Sequence, residues 1–322
     1  TIPVAAFAHV LGMPQLYAVS LIAGCASAFF GIAYQAYLPV LVEKDRLTDA
    51  NSKLEFSNSG TSMAGNALAG ILIQAIGAAA AIAADAISYL VSVAALIAIR
   101  QSEPRHEGPR LSMPQMLHEL REGIHVVFGS QDLRWILGAT ATTNFGGSMT
   151  GAVSLLFAYR VLHLQPGPLG IIYGISSIGF VGALLSTRAR ARFGLRSTLI
   201  VALFVGAIAG GSVLFATIGA PYVVLFFSSA IAAICVPIYN VNQVSYRQAL
   251  VPARLQGRMN ATIRTFVWGT VPLGALAGGY AAGVIGIPQT IFAGALIELA
   301  SVAWLIPLRE RAAMTDAVPQ SS

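Results

Sequence analysis

Apolar residues run along this chain in blocks of about twenty, and short loops that collect the charged residues separate the blocks. A hydrocarbon core about 30 Å thick needs roughly 20 apolar residues per crossing helix. The pattern therefore predicts spans near 16–38, 55–75, 78–99, 133–158, 168–187, 197–217, 221–245, 260–284 and 288–307. Residues 1–12 are also apolar but too short to span, and read as the second half of a helix. They carry no basic n-region and are not expected to be a signal peptide. The strict alternation that a membrane β-barrel requires is absent.

Residues 100–131 interrupt the series. Their first part, Gln101-Ser-Glu-Pro-Arg105-His-Glu-Gly-Pro-Arg110, is a polar linker with two prolines. Their second part is an amphipathic helix. Met113, Met116, Leu117, Leu120, Ile124, Val127 and Phe128 share one face; Gln115, His118, Glu119, Arg121, Glu122 and His125 take the other. Such a helix is expected to lie flat on the cytoplasmic leaflet. The chain then divides into the remainder of a first helical half (1–99), a linker (100–131), a second six-helix half (132–307) and a tail (308–322).

One stretch is used twice. Residues 41–97 and 250–306 align without a gap at an offset of 250 − 41 = 209. The offset pairs Leu41-Val42 with Leu250-Val251, Asn51 with Asn260, Thr61 with Thr270, Gly65 with Gly274, Gly70 with Gly279, and Gly77 with Gly286. Near its end it pairs Ser92-Val93-Ala94 with Ser301-Val302-Ala303. Two halves repeated in parallel along a membrane normal form a transporter architecture. The second half starts near 132, and 132 − 209 = −77. An intact first half is thus expected to begin roughly 77 residues before Thr1, giving twelve spans in all.

Composition agrees. The chain is 56% hydrophobic and 10% charged, with a mean hydropathy of +0.72, which indicates a polytopic membrane protein. The formal charge of +6 is a topology signal, because the basic residues fall in alternate loops. One loop has Lys44, Arg46 and Lys53; the next Arg100, Arg105, Arg110, Arg121 and Arg134; then Arg188, Arg190, Arg192 and Arg196; then Arg247, Arg254, Arg258 and Arg264; Arg309 and Arg311 mark the tail. Only Arg160 breaks the alternation, so 18 of 19 basic residues share one side, the cytoplasmic one by the positive-inside rule. A basic nucleic-acid-binding domain would cluster them instead. Cys25 and Cys235 lie in apolar spans and read as packing residues rather than a disulfide framework. No metal-ligand spacing, phosphate-binding Walker loop or Gly-x-Ser-x-Gly elbow is present. This leaves an enzyme, a metal site and an ATP-driven pump without support.

Longer strings carry a resemblance. In the first half they are Leu38-Pro39-x-Leu41-Val42, Leu47-x-x-Ala50-Asn51-Ser52-x-Leu54-Glu55 and Asp85-Ala86-x-Ser88-Tyr89-Leu90-Val91-Ser92. In the second half they are Asn240-Val241-Asn242-Gln243-Val244-Ser245-x-Arg247-Gln248, Pro252 and Gly257-Arg258-x-Asn260-Ala261. With these strings the chain resembles the major facilitator superfamily, in particular the exporter branch of enterobactin-exporter-like and macrolide-efflux-like proteins. The resemblance implies an all-α membrane fold of two parallel-repeated six-helix halves, here N-terminally incomplete. The fifth-helix exporter motif, Gly-Pro-x-x-Gly-Gly in the family, stands as Gly65-Asn66-Ala67-Leu68-Ala69-Gly70, with Asn66 for Pro and Ala69 for Gly. The second-half loop motif stands as Arg188-Ala-Arg190-Ala-Arg192-Phe-Gly194-Leu-Arg196 without its Asp. Anchoring of these arginines at the inner leaflet competes with a charge-relay latch.

Ionisable groups inside a membrane are costly, so each is a functional candidate. Asp85 lies ~10 Å into its span and Glu298 ~15 Å into its own. A carboxylate desolvated there can take a proton from one side and release it to the other; a helix-packing role is the alternative. The resemblance also places the fourth, seventh and tenth helices on the transport cavity. Their polar residues, Tyr34 and Gln35, Thr140, Thr143 and Asn144, and Tyr239, Asn240, Asn242 and Gln243, are cavity candidates, interhelical hydrogen bonding being the other use for them. Gly60, Gly65 and Gly70 on one helix, and Gly170, Gly174 and Gly182 on another, let backbones approach, as do the repeated Gly274 and Gly279. The resemblance makes the first two of these helices neighbours. Arg247, Arg254 and Arg258 read as topology signals that pair with nearby carboxylates, or as phosphate or lipid-head ligands. The expectation is a monomeric, multi-pass cell-membrane exporter of a small hydrophobic drug, macrolide or siderophore, driven by proton antiport and needing no cofactor beyond the proton gradient. The competing class is a non-transporting remnant or membrane interaction protein.

Overall fold

The computed structural model describes residues 1–41, 47–98, 113–176 and 178–308; the side chains at 31–41, at 47–56 and at some single positions lie outside that description. Every regular element among the described residues is helical. The chain falls into two units: Thr1–Pro109 with Gln165–Gly174, and Arg110–Leu164 with Ile175–Ser322.

The first unit holds α1 (Ile2–Phe7), α2 (Met13–Leu41), α3 (Leu47–Ile76), α4 (Ala78–Ile97) and the start of α7 (Pro166–Ser176). No residue of α4 is buried. Its Ile87, Leu90, Val91 and Ile97 are exposed, as suits a helix whose solvent is hydrocarbon. Gly77 turns α3 into α4 at φ +82° and ψ 161°, a region that a side chain makes strained. On α3, Gly70 is buried against the first turns of α7. A Cβ there would stand 2.5 Å from the Pro166 carbonyl oxygen and 2.8 Å from the Gly170 Cα. One turn on, the Gln74 side chain accepts from the Gly167 amide at 2.8 Å and donates to Gln165 Oε1 at 3.2 Å. This contact joins the two helices that the glycine pattern pairs. Gly65 does not take part: among the described residues nothing lies within 4 Å of its would-be Cβ.

The second unit holds α5 (Met113–Gly129), α6 (Gln131–Leu156), α8 (Gly179–Phe193), α9 (Leu195–Ser212), α10 (Pro221–Leu250), α11 (Ala253–Val284) and α12 (Ile287–Ala300). A π turn (Phe157–Val161) extends α6, and 3-10 turns extend α9 (Val213–Thr217) and α12 (Ser301–Leu305). α6 packs on α11 and α12, and α10 packs on α8 and α9, with α12 also against α9. Glycines set these distances. A Cβ on Gly274 or Gly278 would strike the Phe145 or Met149 carbonyl of α6, and one on Gly146 would lie 2.7 Å from the Gly294 carbonyl oxygen of α12. Gly182 of α8 faces the Ile234 carbonyl of α10 in the same way. Gly279, expected to pack, points to open space, and Gly278 makes the contact instead. The reason is helical phase: Gly274 and Gly278 are four residues apart and share a face, and Gly279 lies about 100° away.

Five stretches among the described residues are long and apolar enough to cross a membrane: Ala78–Ile97, Pro166–Phe193, Leu195–Thr217, Pro221–Leu250 and Ile287–Leu305. The span expected near 168–187 falls within Pro166–Phe193, which holds α7 up to Ser176 and α8 from Gly179. The amphipathic helix α5 has a protein neighbour as well as an exposed apolar side. It packs on α11, with Val127 fully buried among Met259, Ile263 and Val267. Arg258 ties it down through ion pairs to Glu119 at 3.0 Å and to Glu122. Leu120, Ile124 and Phe128 stay exposed, so the apolar face is shared between α11 and the surroundings.

Candidate functional site

The second unit encloses a cavity of about 120 Å³ between α6, α9, α10 and α12. Its polar walls are Thr140, Thr143 and Asn144 of α6, Tyr239 and Asn240 of α10, and Glu298 of α12. The rest is apolar or small, including Ala202, Leu203 and Ala207 of α9 and Cys235 and Val236 of α10. The spacing on each helix explains the convergence. Thr140, Thr143 and Asn144 follow the i, i+3, i+4 rule and share one face. Tyr239 and Asn240 occupy adjacent positions on the α10 face that meets α9. Glu298 is the twelfth residue of α12, near the middle of the Ile287–Leu305 span.

The hydroxyls are held in place. Thr140 Oγ1 donates to the Ile136 carbonyl at 2.8 Å, so its single hydrogen is committed. The Tyr239 hydroxyl, 2.7 Å away, therefore donates to Thr140. Thr143 Oγ1 donates to Ser301 Oγ at 2.7 Å, and Ser301 passes a hydrogen bond on to the Glu298 carbonyl at 2.6 Å. Among the described residues the Glu298 carboxylate has no hydrogen bond and no ion pair, and no cation lines the cavity. Glycines flank it: a Cβ on Gly147 would lie 3.6 Å from Glu298 Oε1, and one on Gly210 would lie 3.8 Å from Oε2. The carboxylate is thus open to the cavity and unscreened by side chains on two sides.

The structure brings Asn144, Asn240 and Glu298 together and leaves other candidates apart. Asn242 is buried and donates to the Ser186 carbonyl at 3.2 Å and to the Ile238 carbonyl at 2.8 Å, which pins α10 to α8 rather than lining the cavity. Gln243 sits one turn below Asn240 and donates to its Oδ1 at 3.5 Å; Gln243 Oε1 is buried without a partner. Arg247 continues that face and is 93% buried, its Nε unpartnered among the described residues. Asp85 is exposed on α4 and is not part of the cavity wall. The side chains of Tyr34 and Gln35 lie outside the described residues. Gly174 is buried near the end of α7. Arg188, Arg190 and Arg192 end α8 and Arg196 starts α9, so these four gather at one end of the unit. Arg192 lies over the Phe193 ring, 5.5 Å from its centroid.

Sequence reasoning missed the glycines that shape the carboxylate's surroundings. The signal was present in the doublets Gly146-Gly147 and Gly210-Gly211, each inside an apolar span. In a membrane helix such a doublet marks a close approach on more than one face.

In comparison with protein families, the family model described as Major Facilitator Superfamily matches residues 1–269, which take in the whole first repeat, the linker and the start of the second repeat. No curated protein matches the chain.

Proposed function

Because the chain belongs to the Major Facilitator Superfamily and is a membrane transporter, we propose that it exports a small, fairly hydrophobic molecule by alternating access, in exchange for protons. The observation that carries this reading is Glu298. A carboxylate at mid-span, without a counter-ion, opening on a mostly apolar cavity, is costly unless it is used. A proton neutralises it and so does a cationic ligand, and the two exclude each other. That exclusion is the elementary step of an antiporter. Asn144, Asn240, Thr140 and Tyr239 orient the ligand's polar part, and the α9 wall of Ala202, Leu203 and Ala207 takes its apolar part.

The arginine-bearing end of the second unit, with Arg188, Arg190, Arg192 and Arg196, faces the cytoplasm in this reading, in accord with the positive-inside rule. The exporter-branch strings of the sequence, the Gly65–Gly70 motif among them, support the outward direction. The protein acts as a monomer in the cell membrane, and the proton gradient takes the place of a cofactor.

The test is proton flux in proteoliposomes. The protein at its native length is reconstituted with a pH-sensitive dye inside, and a hydrophobic fluorescent substrate is added under an imposed proton gradient. Substrate-dependent proton movement in wild type that Glu298→Gln abolishes supports the reading. Equal substrate-dependent proton movement in Glu298→Gln overturns it.

A further inference from the structure

The cavity around Glu298 has a charge and a hydrogen-bonding polarity that select its ligand. From these we infer that it takes the ammonium head of a small apolar amine, with the Glu298 carboxylate as counter-ion. The inference deepens the transport reading of the same cavity and rests on it.

Among the described residues that line the cavity one side chain is charged, Glu298, and it is negative; the buried Arg247 lies farther along α10, about two turns beyond Tyr239. The hydroxyl hydrogens are turned away from the cavity: that of Thr140 goes to the Ile136 carbonyl, that of Tyr239 to Thr140, and that of Thr143 to Ser301. What these groups present to a ligand is oxygen lone pairs. The side-chain N–H donors left in the wall are the amides of Asn144 and Asn240, the latter with its Oδ1 already taken by Gln243. An anionic ligand would meet a carboxylate and two neutral amides; a cation meets a carboxylate and several acceptors. A buried charge needs a partner of opposite sign, and here the ligand supplies it.

Space leads to the same ligand. Gly147 and Gly210 leave both carboxylate oxygens free of covering side chains. A compact ammonium head fits within the cavity of about 120 Å³. A catecholate or carboxylate siderophore, one of the classes open on sequence alone, would meet no cation among the described residues that line the cavity.

The test uses the wild-type protein at native length in lipid nanodiscs. Glu298 is labelled with dicyclohexylcarbodiimide and the adduct is quantified by mass spectrometry. Benzyltrimethylammonium is the probe, neopentylbenzene its uncharged carbon isostere, and benzenesulfonate its anionic counterpart. Protection of Glu298 by the cation alone is the expected result. Absent protection, or equal protection by the neutral isostere, overturns the inference. Binding of tritiated benzyltrimethylammonium gives a second reading. It is expected to weaken at least about tenfold in Glu298→Gln and to recover in Glu298→Asp; unchanged binding in Glu298→Gln overturns the inference without any reliance on labelling. The two readings fail separately. Proton-coupled export of an uncharged dye with no cation protection removes the amine and leaves the transport reading in place. Cation protection with no substrate-dependent proton flux removes the coupling and leaves the amine site.

Discussion

Gly77 and Gly286 stand 286 − 77 = 209 positions apart and hold one backbone conformation, φ +82° and ψ 161° at the first, φ +94° and ψ 162° at the second. The repeat read from the sequence therefore recurs as geometry at the turn between its two helices. A side chain is strained there by about 1–3 kcal/mol. Gly77→Ala and Gly286→Ala are each expected to lower the thermal unfolding midpoint in detergent. Gly219→Ala, at a loop glycine with no positive φ, is expected to leave it unchanged.

Helix α3 meets α7 at Gly70, while among the described residues nothing lies within 4 Å of a Cβ on Gly65. A Cβ on either Gly70 or Gly170 would stand 2.8 Å from the other's Cα. Gly70→Leu is expected to destabilise by about 1–3 kcal/mol or to abolish transport through overpacking. Gly65→Leu is expected to fold and transport like wild type. Substrate accumulation in cells, normalised to the amount of protein in the membrane, compares the two; equal loss in both would contradict the geometry.

The Thr140–Tyr239 hydrogen bond makes an asymmetric prediction. Tyr239→Phe removes a hydroxyl whose partner keeps its bond to the Ile136 carbonyl, which costs about 0.5–1.5 kcal/mol. Thr140→Val leaves the buried Tyr239 hydroxyl without a partner, which costs about 1–3 kcal/mol. Thermal unfolding of the two variants in matched lipid should rank Thr140→Val as the less stable.

The clamp of Arg258 on α5 is half-exposed, with side-chain exposures of 32% for Arg258 and 27% for Glu122. Solvent screening limits each such pair to about 0.2–1 kcal/mol. A double-mutant cycle on Glu122→Ala and Arg258→Ala should return a coupling in that range that shrinks in high salt. A wedge acts more strongly. A Cβ on Gly123 would stand 2.5 Å from Thr262 Oγ1 and 2.7 Å from the Arg258 carbonyl oxygen, so Gly123→Leu is expected to expose α5 to proteolysis.

Among the described residues the Glu298 carboxylate has no partner to lose. Glu298→Gln replaces a carboxylate by a neutral amide of similar shape, and a neutral group costs less to bury. Its thermal midpoint is therefore expected to equal or exceed that of wild type while substrate-coupled proton movement disappears. A marked fall in stability would reveal a structural partner for the carboxylate.

The helices themselves were legible because the requirement of the bilayer is local. Twenty apolar residues in a row satisfy it wherever they occur, and α4, α10 and α12 stand where hydropathy placed them. The repeat and its turn glycines were legible too, since backbone strain at Gly77 and Gly286 is a property of one residue. Glu298 was found because an ionisable group in an apolar run is conspicuous without any knowledge of its neighbours.

Helical phase and partners were not legible in the same way. Asn240 and Asn242 were both cavity candidates, but 100° per residue turns the first to the cavity and the second to the Ser186 carbonyl of α8. The same rotation separates Gly278 from Gly279. The amphipathic face of α5 suits a lipid surface and a protein groove alike, and only the structure shows that Val127, Glu119 and Glu122 of α5 meet α11, the last two through Arg258. By itself the sequence determined which segments are helices, where they turn and which polar groups need an explanation. Tertiary structure decided which of those groups meet, because contact depends on the rotation and packing of whole helices against one another, and no single residue encodes that.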